Sequence, residues 1–297
     1  MSFARIVTAM ITPFDTQGSL ALDEARRLAR WLAERGNDGL VVCGTTGEGP
    51  TLSTDEKLAM FRATKEAVGN GARIVGNTGG NDTRSSVELT KRAEECGVDG
   101  ILAVVPYYNK PTQDGMLTHF GAIAQATTLP VFIYNIPGRS GANMQAETLL
   151  ELASRHRNIA GVKESSGDFN QFSAILAKRR SDFTFWSGDD HLFLPALALG
   201  ADGVVGVATH LCSREFIAMR DALSSGELVE AARIHLSLTP LFAALFATTS
   251  PIAIKWAMNR LGFQAGDTRS PLGAMPREVI SRLEPLLQPY REKAVAR

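Results

Sequence analysis

A (β/α)8 barrel closed by eight parallel strands, with a C-terminal three-helix appendage, is the fold class this sequence predicts, and three features predict it. Eight short apolar runs recur at intervals of roughly 25 to 35 residues, the length of one strand, one helix and two short loops. The runs that follow the chain's repeated glycine-bounded turns are continuously apolar rather than alternating, as strands covered on both faces must be. No dinucleotide-binding glycine fingerprint follows any of them, which favours a closed barrel over a doubly wound open sheet, although pattern alone admits both.

In chain order the strand candidates are Ile6 to Thr12, Leu40 to Cys43, Arg73 to Gly76, Ile101 to Val105, Val131 to Tyr134, Ile159 to Lys163, Phe183 to Ser187 and Val204 to Val207. Three of them follow the same joint: Gly36-Asn37-Asp38-Gly39, Gly97-Val98-Asp99-Gly100 and Gly200-Ala201-Asp202-Gly203. The first glycine of each can take the left-handed conformation that ends a helix, and the Asp-Gly pair turns the chain into the next strand. Between strands lie helix patterns such as Asp23 to Arg35, where Leu28, Trp31 and Leu32 recur at helical spacing behind an acidic first turn. After Val207 the strand signals stop. Glu227 to Phe246, Ile252 to Leu261 and Pro276 to Glu292 read as three helices, with a kink or break expected at Pro240. The expected division is a catalytic barrel over residues 1–225 and a helical domain over 226–297.

Composition narrows the function classes. The 297 residues are 44% hydrophobic, with 31 basic residues against 31 acidic ones and no block of basic charge, so no nucleic-acid surface is indicated. Cys43, Cys96 and Cys212 are an odd number without C-x-x-C spacing, which suits a reducing cytoplasm and neither a disulfide framework nor zinc. Ile6 to Ile11 is too short and too lightly charged in front for a secretory signal. The long apolar region from Leu192 to Leu211 is broken by Pro195, Gly200, Asp202 and Gly203, so a soluble chain is expected rather than a membrane span of ~20 residues.

Barrel active sites lie at the C-terminal ends of the strands, and four ends carry chemistry: Gly44-Thr45-Thr46-Gly47-Glu48, Tyr134-Asn135, Lys163-Glu164 and Ser187-Gly188-Asp189-Asp190. Lys163, behind Ile159-Ala160-Gly161-Val162, is placed where desolvation would lower its pKa and free an amine to attack carbonyls; pairing with Glu164 is the equally weighted alternative. The glycine-threonine loop could hold a carboxylate or a phosphate, or be a simple turn. Tyr134 could relay protons or merely pack. Arg139, in Pro137-Gly138-Arg139-Ser140-Gly141, could grip a carboxylate or lie solvated. Asp189, Asp190 and His191 are consecutive and diverge, so an N-cap of the following helix is expected of one aspartate. His119, His156, His210 and His235 are isolated, and no metal is expected.

With Gly44-Thr45-Thr46-Gly47-Glu48, Tyr107-Tyr108-Asn109, Tyr134-Asn135-Ile136-Pro137-Gly138-Arg139 and Gly161-Val162-Lys163-Glu164 in this order, the chain closely resembles the dihydrodipicolinate synthase family of the N-acetylneuraminate lyase superfamily. The resemblance implies that Lys163 forms a Schiff base with pyruvate and that Thr45 and Thr46 hold its carboxylate. It makes Tyr134 the proton donor and acceptor, in a relay with Thr45 and with Tyr108 contributed across a tight dimer interface. Arg139 would hold aspartate semialdehyde, while Gly188 and the main chain near Val205 line the pocket. The implied product is 4-hydroxy-tetrahydrodipicolinate, in lysine and diaminopimelate biosynthesis, made by a homotetramer with no external cofactor. Other pyruvate-type aldolases or dehydratases of the superfamily acting on sugar acids or hydroxy-oxo acids, a phosphate-ligand barrel enzyme, and a non-catalytic small-molecule-binding barrel are the alternatives. Feedback-regulated relatives bind lysine with histidines and a glutamate where this chain has Gly49, Pro50, Thr54, Lys57 and Ser85, and only Asn81 and Tyr107 match. Weak or absent lysine inhibition is therefore expected.

Overall fold

The Gly-x-Asp-Gly joints build the floor of the barrel. The first glycines, Gly36, Gly97 and Gly200, all have the expected positive φ (92°, 76° and 98°). The aspartates go further than turning the chain, because each carboxylate accepts a backbone N–H from the strand that precedes the one it introduces. Asp38 accepts from Arg5 and Ile6, Asp99 from Ile74, and Asp202 from Phe185. Lys65 and Arg73 pair with Asp99, and Arg179 with Asp202. The second glycines face crowded ground: a Cβ on Gly203 would run into the Arg5 backbone, and one on Gly100 would press Phe132 and the Pro130 carbonyl.

The computed structural model describes residues 3–295, so the outermost two residues of each expected domain lie outside the described residues. Eight strands close the barrel in sequence order: β1 (Ile6–Ala9), β2 (Gly39–Val42), β3 (Arg73–Asn77), β4 (Gly100–Val104), β5 (Val131–Asn135), β6 (Ile159–Glu164), β7 (Thr184–Ser187) and β8 (Gly203–Gly206). Every neighbouring pair is parallel, including β8 with β1, and the open sheet is thereby excluded. Helices α1 (Leu22–Glu34), α2 (Thr54–Val68), α3 (Thr83–Glu95), α4 (Gln113–Gln125), the single turn α5 (Pro137–Ser140), α6 (Ala146–Arg155), α7 (Phe169–Lys178), α8 (Phe193–Ala198) and α9 (Thr209–Ser224) alternate with the strands. The strands are shorter at their C-terminal ends than the apolar runs suggested for β1, β2, β4 and β8. There the backbone leaves the ladder to form the loops of the upper rim.

Two apolar layers result. Val7, Val41, Val75, Leu102, Phe132, Tyr134, Trp186 and Val205 fill the inside of the barrel, and a larger cluster packs the outer strand faces against the helices. Trp186 stacks at 4.3 Å on Phe132 and its indole N–H donates to the Ala4 carbonyl at 2.7 Å, so the lower interior is sealed by large rings with their polar atom satisfied.

Beyond α9 come α10 (Leu228–Leu245), α11 (Ile252–Arg260), α12 (Arg277–Leu283) and α13 (Gln288–Val295). The expected third helix is thus two helices joined by a 3-10 turn at Glu284–Leu287. The expected break at Pro240 does not occur: α10 runs through it. Pro240 and Leu236 both lie on the exposed side, so the carbonyl that loses its N–H partner sits on the solvent side. By length and composition α10 is apolar enough to cross a membrane, with mean hydropathy 1.3. It nonetheless carries Glu230 and Arg233 and packs Phe242 against Phe216 of α9, as a core helix does.

Candidate active site

Whether Lys163 is committed to Glu164 is settled by the pleat of β6. Successive side chains of a strand point to opposite faces. Glu164, fully buried, faces the helices, where its carboxylate accepts from Asn135 Nδ2 (3.0 and 3.1 Å), the Ser166 N–H (2.8 Å) and Gln171 Nε2 (3.0 Å). Burial pushes its carboxyl pKa up, and those donors pull it back. Lys163 faces the interior at 5% exposure, and among the described residues its ammonium has no hydrogen bond or ion pair. Its Nζ lies 4.0 Å over the Tyr134 ring, its neighbour in the β5–β6 register, as Trp186 is on the β7 side.

Gly188 leaves the room this lysine needs. A Cβ there would collide with Ser165 Oγ and come within 3.1 Å of Lys163 Cγ and Cε. The Gly188 N–H is fixed by the Glu164 carbonyl at 2.8 Å, so the glycine cannot back away. Val205 belongs to the same interior cluster as Tyr134, one strand beyond Trp186. Lys163, Tyr134, Gly188 and Val205 are therefore gathered around the upper interior of the barrel.

Thr45 and Arg139 meet elsewhere on the rim. They line a cavity of about 430 Å³ with Asn77, Tyr107 and Ile136. Lys163, Tyr134, Thr46, Gly188 and Val205 do not line it, and Thr46 is buried within its loop. Arg139 is exposed on the α5 turn and among the described residues has no ion pair, leaving its guanidinium available to an anion. Positions Gly49, Pro50, Thr54, Lys57, Asn81, Ser85 and Tyr107 line the same cavity. Burial pulls the Lys57 pKa down. Tyr108 is not in the site of its own chain: its backbone is left-handed (φ 75°) and its ring is 90% exposed.

The expected N-cap at Asp189 or Asp190 is corrected. Neither caps the helix that follows; Asp190 turns inward, and its Oδ2 accepts the N–H groups of Val207 (3.2 Å) and Ala208 (2.9 Å) beside β8. Its Oδ1 is buried without a partner and burial, the largest influence, pushes the carboxyl up to about 7. Among the histidines, His210 is satisfied, accepting the Ile11 N–H at Nε2 and bonding the Val207 carbonyl at Nδ1. Among the described residues, His119 Nε2 and His235 Nδ1 are buried without a hydrogen-bond partner. Sequence reasoning also passed over Lys255, which nothing local distinguishes from a solvated helix lysine.

A closed parallel barrel that carries a buried, uncommitted amine at a strand end beside a tyrosine is the framework of a (β/α)8-barrel lyase. The chain belongs to the dihydrodipicolinate synthetase family, whose signature it matches over residues 2–289. It is 49% identical to the 4-hydroxy-tetrahydrodipicolinate synthase of Moorella thermoacetica over 97% of this chain and 98% of that one. It is 46% identical to the enzyme of that name from Thermosynechococcus vestitus, over 96% of both. Among solved structures, the lysine-bound dihydrodipicolinate synthase of Cyanidioschyzon merolae superposes with a TM-score of 0.95 at 44% identity, covering 96% of this chain and 97% of that one.

Proposed function

We propose that this chain condenses pyruvate, carried on Lys163, with aspartate 4-semialdehyde to give 4-hydroxy-tetrahydrodipicolinate, as a cytoplasmic homotetramer built from two tight dimers. The observation that carries the reading is the Lys163 amine: buried and set against Tyr134, it has no hydrogen bond or ion pair among the described residues. Attack of the neutral amine on the ketone carbon of pyruvate and loss of water give an iminium. Its positive charge makes the methyl protons acidic, and Tyr134 takes one, leaving an enamine. The enamine carbon bonds to the aldehyde carbon, whose oxygen is protonated. The substrate's own amine then adds to the iminium carbon and releases Lys163 as the ring closes.

Around that sequence Thr45 and Thr46 hold the pyruvate carboxylate, Gly188 and the main chain near Val205 bound the pocket, and Arg139 receives the carboxylate of the aldehyde substrate. The exposure of Tyr108 supports a role in a neighbouring subunit, where it completes the relay with Tyr134 and Thr45. Lys57 in the cavity supports weak or absent inhibition by lysine, because one cation would meet another.

The test is turnover of pyruvate with aspartate semialdehyde, coupled to an NADPH-dependent reductase for the product, in wild type, Lys163→Ala and Arg139→Ala, with borohydride trapping alongside. Activity lost in both variants supports the reading. A folded wild type that traps pyruvate on Lys163 yet shows no turnover assigns the chain to another pyruvate-type aldolase or dehydratase, and no trapping removes the Schiff base altogether. Strong inhibition by sub-millimolar lysine would overturn the regulatory part.

A further inference from the structure

The Gly44–Glu48 loop is bounded by two residues, Cys43 (φ 58°) and Glu48 (φ 54°), that are left-handed without being glycine. Such backbone persists only where its surroundings over-determine it. Asn77 Nδ2 donates to the Cys43 carbonyl at 3.1 Å, Thr12 Oγ1 to the Gly47 carbonyl at 2.6 Å, and the Gly49 N–H to the Gly44 carbonyl at 3.0 Å. The remaining restraint comes from outside the barrel. The Glu48 carboxylate, 0% exposed, accepts from Lys255 Nζ at 2.7 Å and from the Arg269 N–H at 2.8 Å.

Lys255 stands on α11, 207 positions away in sequence, with its side chain 1% exposed and its Nζ 3.9 Å from the centroid of the Phe14 ring. Arg269 lies over the same ring at 4.2 Å and binds Glu56 and the carbonyls of Gly18 and Thr51. Burying two charges to make one pair brings little net stability, since apolar residues of similar volume generally do as well. What the pair does supply is one fixed direction for Glu48, two residues beyond Thr46 and three beyond Thr45.

We propose that Lys255, reaching in from the C-terminal helices, is a positioning residue that latches Glu48 and so fixes the Thr45–Thr46 cradle for the substrate carboxylate. The latch rests on the pyruvate reading for its kinetic consequence but not for its structural one. The appendage then serves the active site directly, adding to the Thr12–Gly47 hydrogen bond a second hold on that end of the loop.

The experiment compares wild type, Lys255→Met and the double variant Glu48→Gln/Lys255→Met, which leaves no buried charge unpaired and so keeps a folded protein to measure. Two readouts are taken: the pyruvate concentration for half-maximal borohydride trapping, and amide hydrogen exchange at Thr45–Glu48 in ligand-free protein. In both variants exchange across the loop accelerates about tenfold relative to the barrel strands, and half-saturation rises about tenfold, while the trapped fraction at saturating pyruvate stays near wild type. If the double variant matches wild type in loop exchange and in half-saturation, the pair is merely structural and the proposal falls. If wild type fails to trap pyruvate, the functional reading fails and the exchange measurement alone decides the latch.

Discussion

Asp190 gives a pH dependence that can be worked from its surroundings. It is fully buried, one oxygen accepts from Val207 and Ala208, and the other has no partner. Burial dominates, pushing its pKa from 3.8 to about 7; Asp189 adds to the rise, while the two N–H groups and Lys163 oppose it. Because the folded pKa is raised above the unfolded one, the neutral acid favours the fold, and stability is lost as pH rises from about 4 to about 7 and is level above that. Between pH 5 and pH 8 the loss is about 3 kcal/mol, from two pH units at about 1.4 kcal/mol each.

Asp190→Asn abolishes the titration while its amide oxygen can still accept the Val207 and Ala208 N–H groups. Misplacement of the amide nitrogen costs the same at every pH, so the informative quantity is the change in the stability difference between the two proteins. That difference moves in favour of Asn by about 3 kcal/mol from pH 5 to pH 8, or roughly 5 °C in relative melting temperature for a chain of this size. Paired denaturant and thermal melts across that range supply the measurement. A difference that stays constant within about 1 kcal/mol would refute the argument that burial governs this carboxyl.

His210 titrates in the opposite sense: burial lowers its pKa to about 4, the Ile11 N–H already occupies Nε2, and stability held above pH ~6.5 falls as pH drops toward 4. His210→Gln flattens that acid limb in the same melts, at a constant cost of about 1 to 3 kcal/mol for the changed hydrogen bonds. Gly188→Ala places a methyl 3.1 Å from two Lys163 carbons, and the overpacking of about 1 to 3 kcal/mol appears as about ten- to hundredfold weaker pyruvate trapping; wild-type trapping would show that Lys163 can yield. Gly203→Ala drives a methyl into the Arg5 backbone on the barrel floor, where no side chain can rotate away, so a loss of more than about 3 kcal/mol is expected by chemical denaturation.

The strands, the helical joints and the motif residues were legible because each is a local pattern. Gly36, Gly97 and Gly200 signal their left-handed turns within a few residues of chain, and the motif Gly161-Val162-Lys163-Glu164 places a lysine at a strand end in one word. At Pro240 the sequence allows a kink or a break, and the break does not occur: a proline ends a helix only where the freed carbonyl has nowhere to go, and that depends on which side faces solvent. Asp190 was misread because capping and turning inward are equally open to a residue at that spacing until β8 supplies the Val207 and Ala208 donors.

By itself, then, the sequence determined the period of the strands and the identity of the groups at their ends, since these follow from the spacing of residues along one element. Only the closed barrel decided which of those groups remained free. Lys163 is uncommitted because Asn135, Ser166 and Gln171 claim Glu164 on the outer face, and the Thr45–Thr46 loop is anchored because Lys255 arrives from the far end of the chain. The Asn135–Glu164 and Lys255–Glu48 pairings join residues 29 and 207 positions apart, and their energies depend on burial that exists only once the barrel has closed and the C-terminal helices have packed against it.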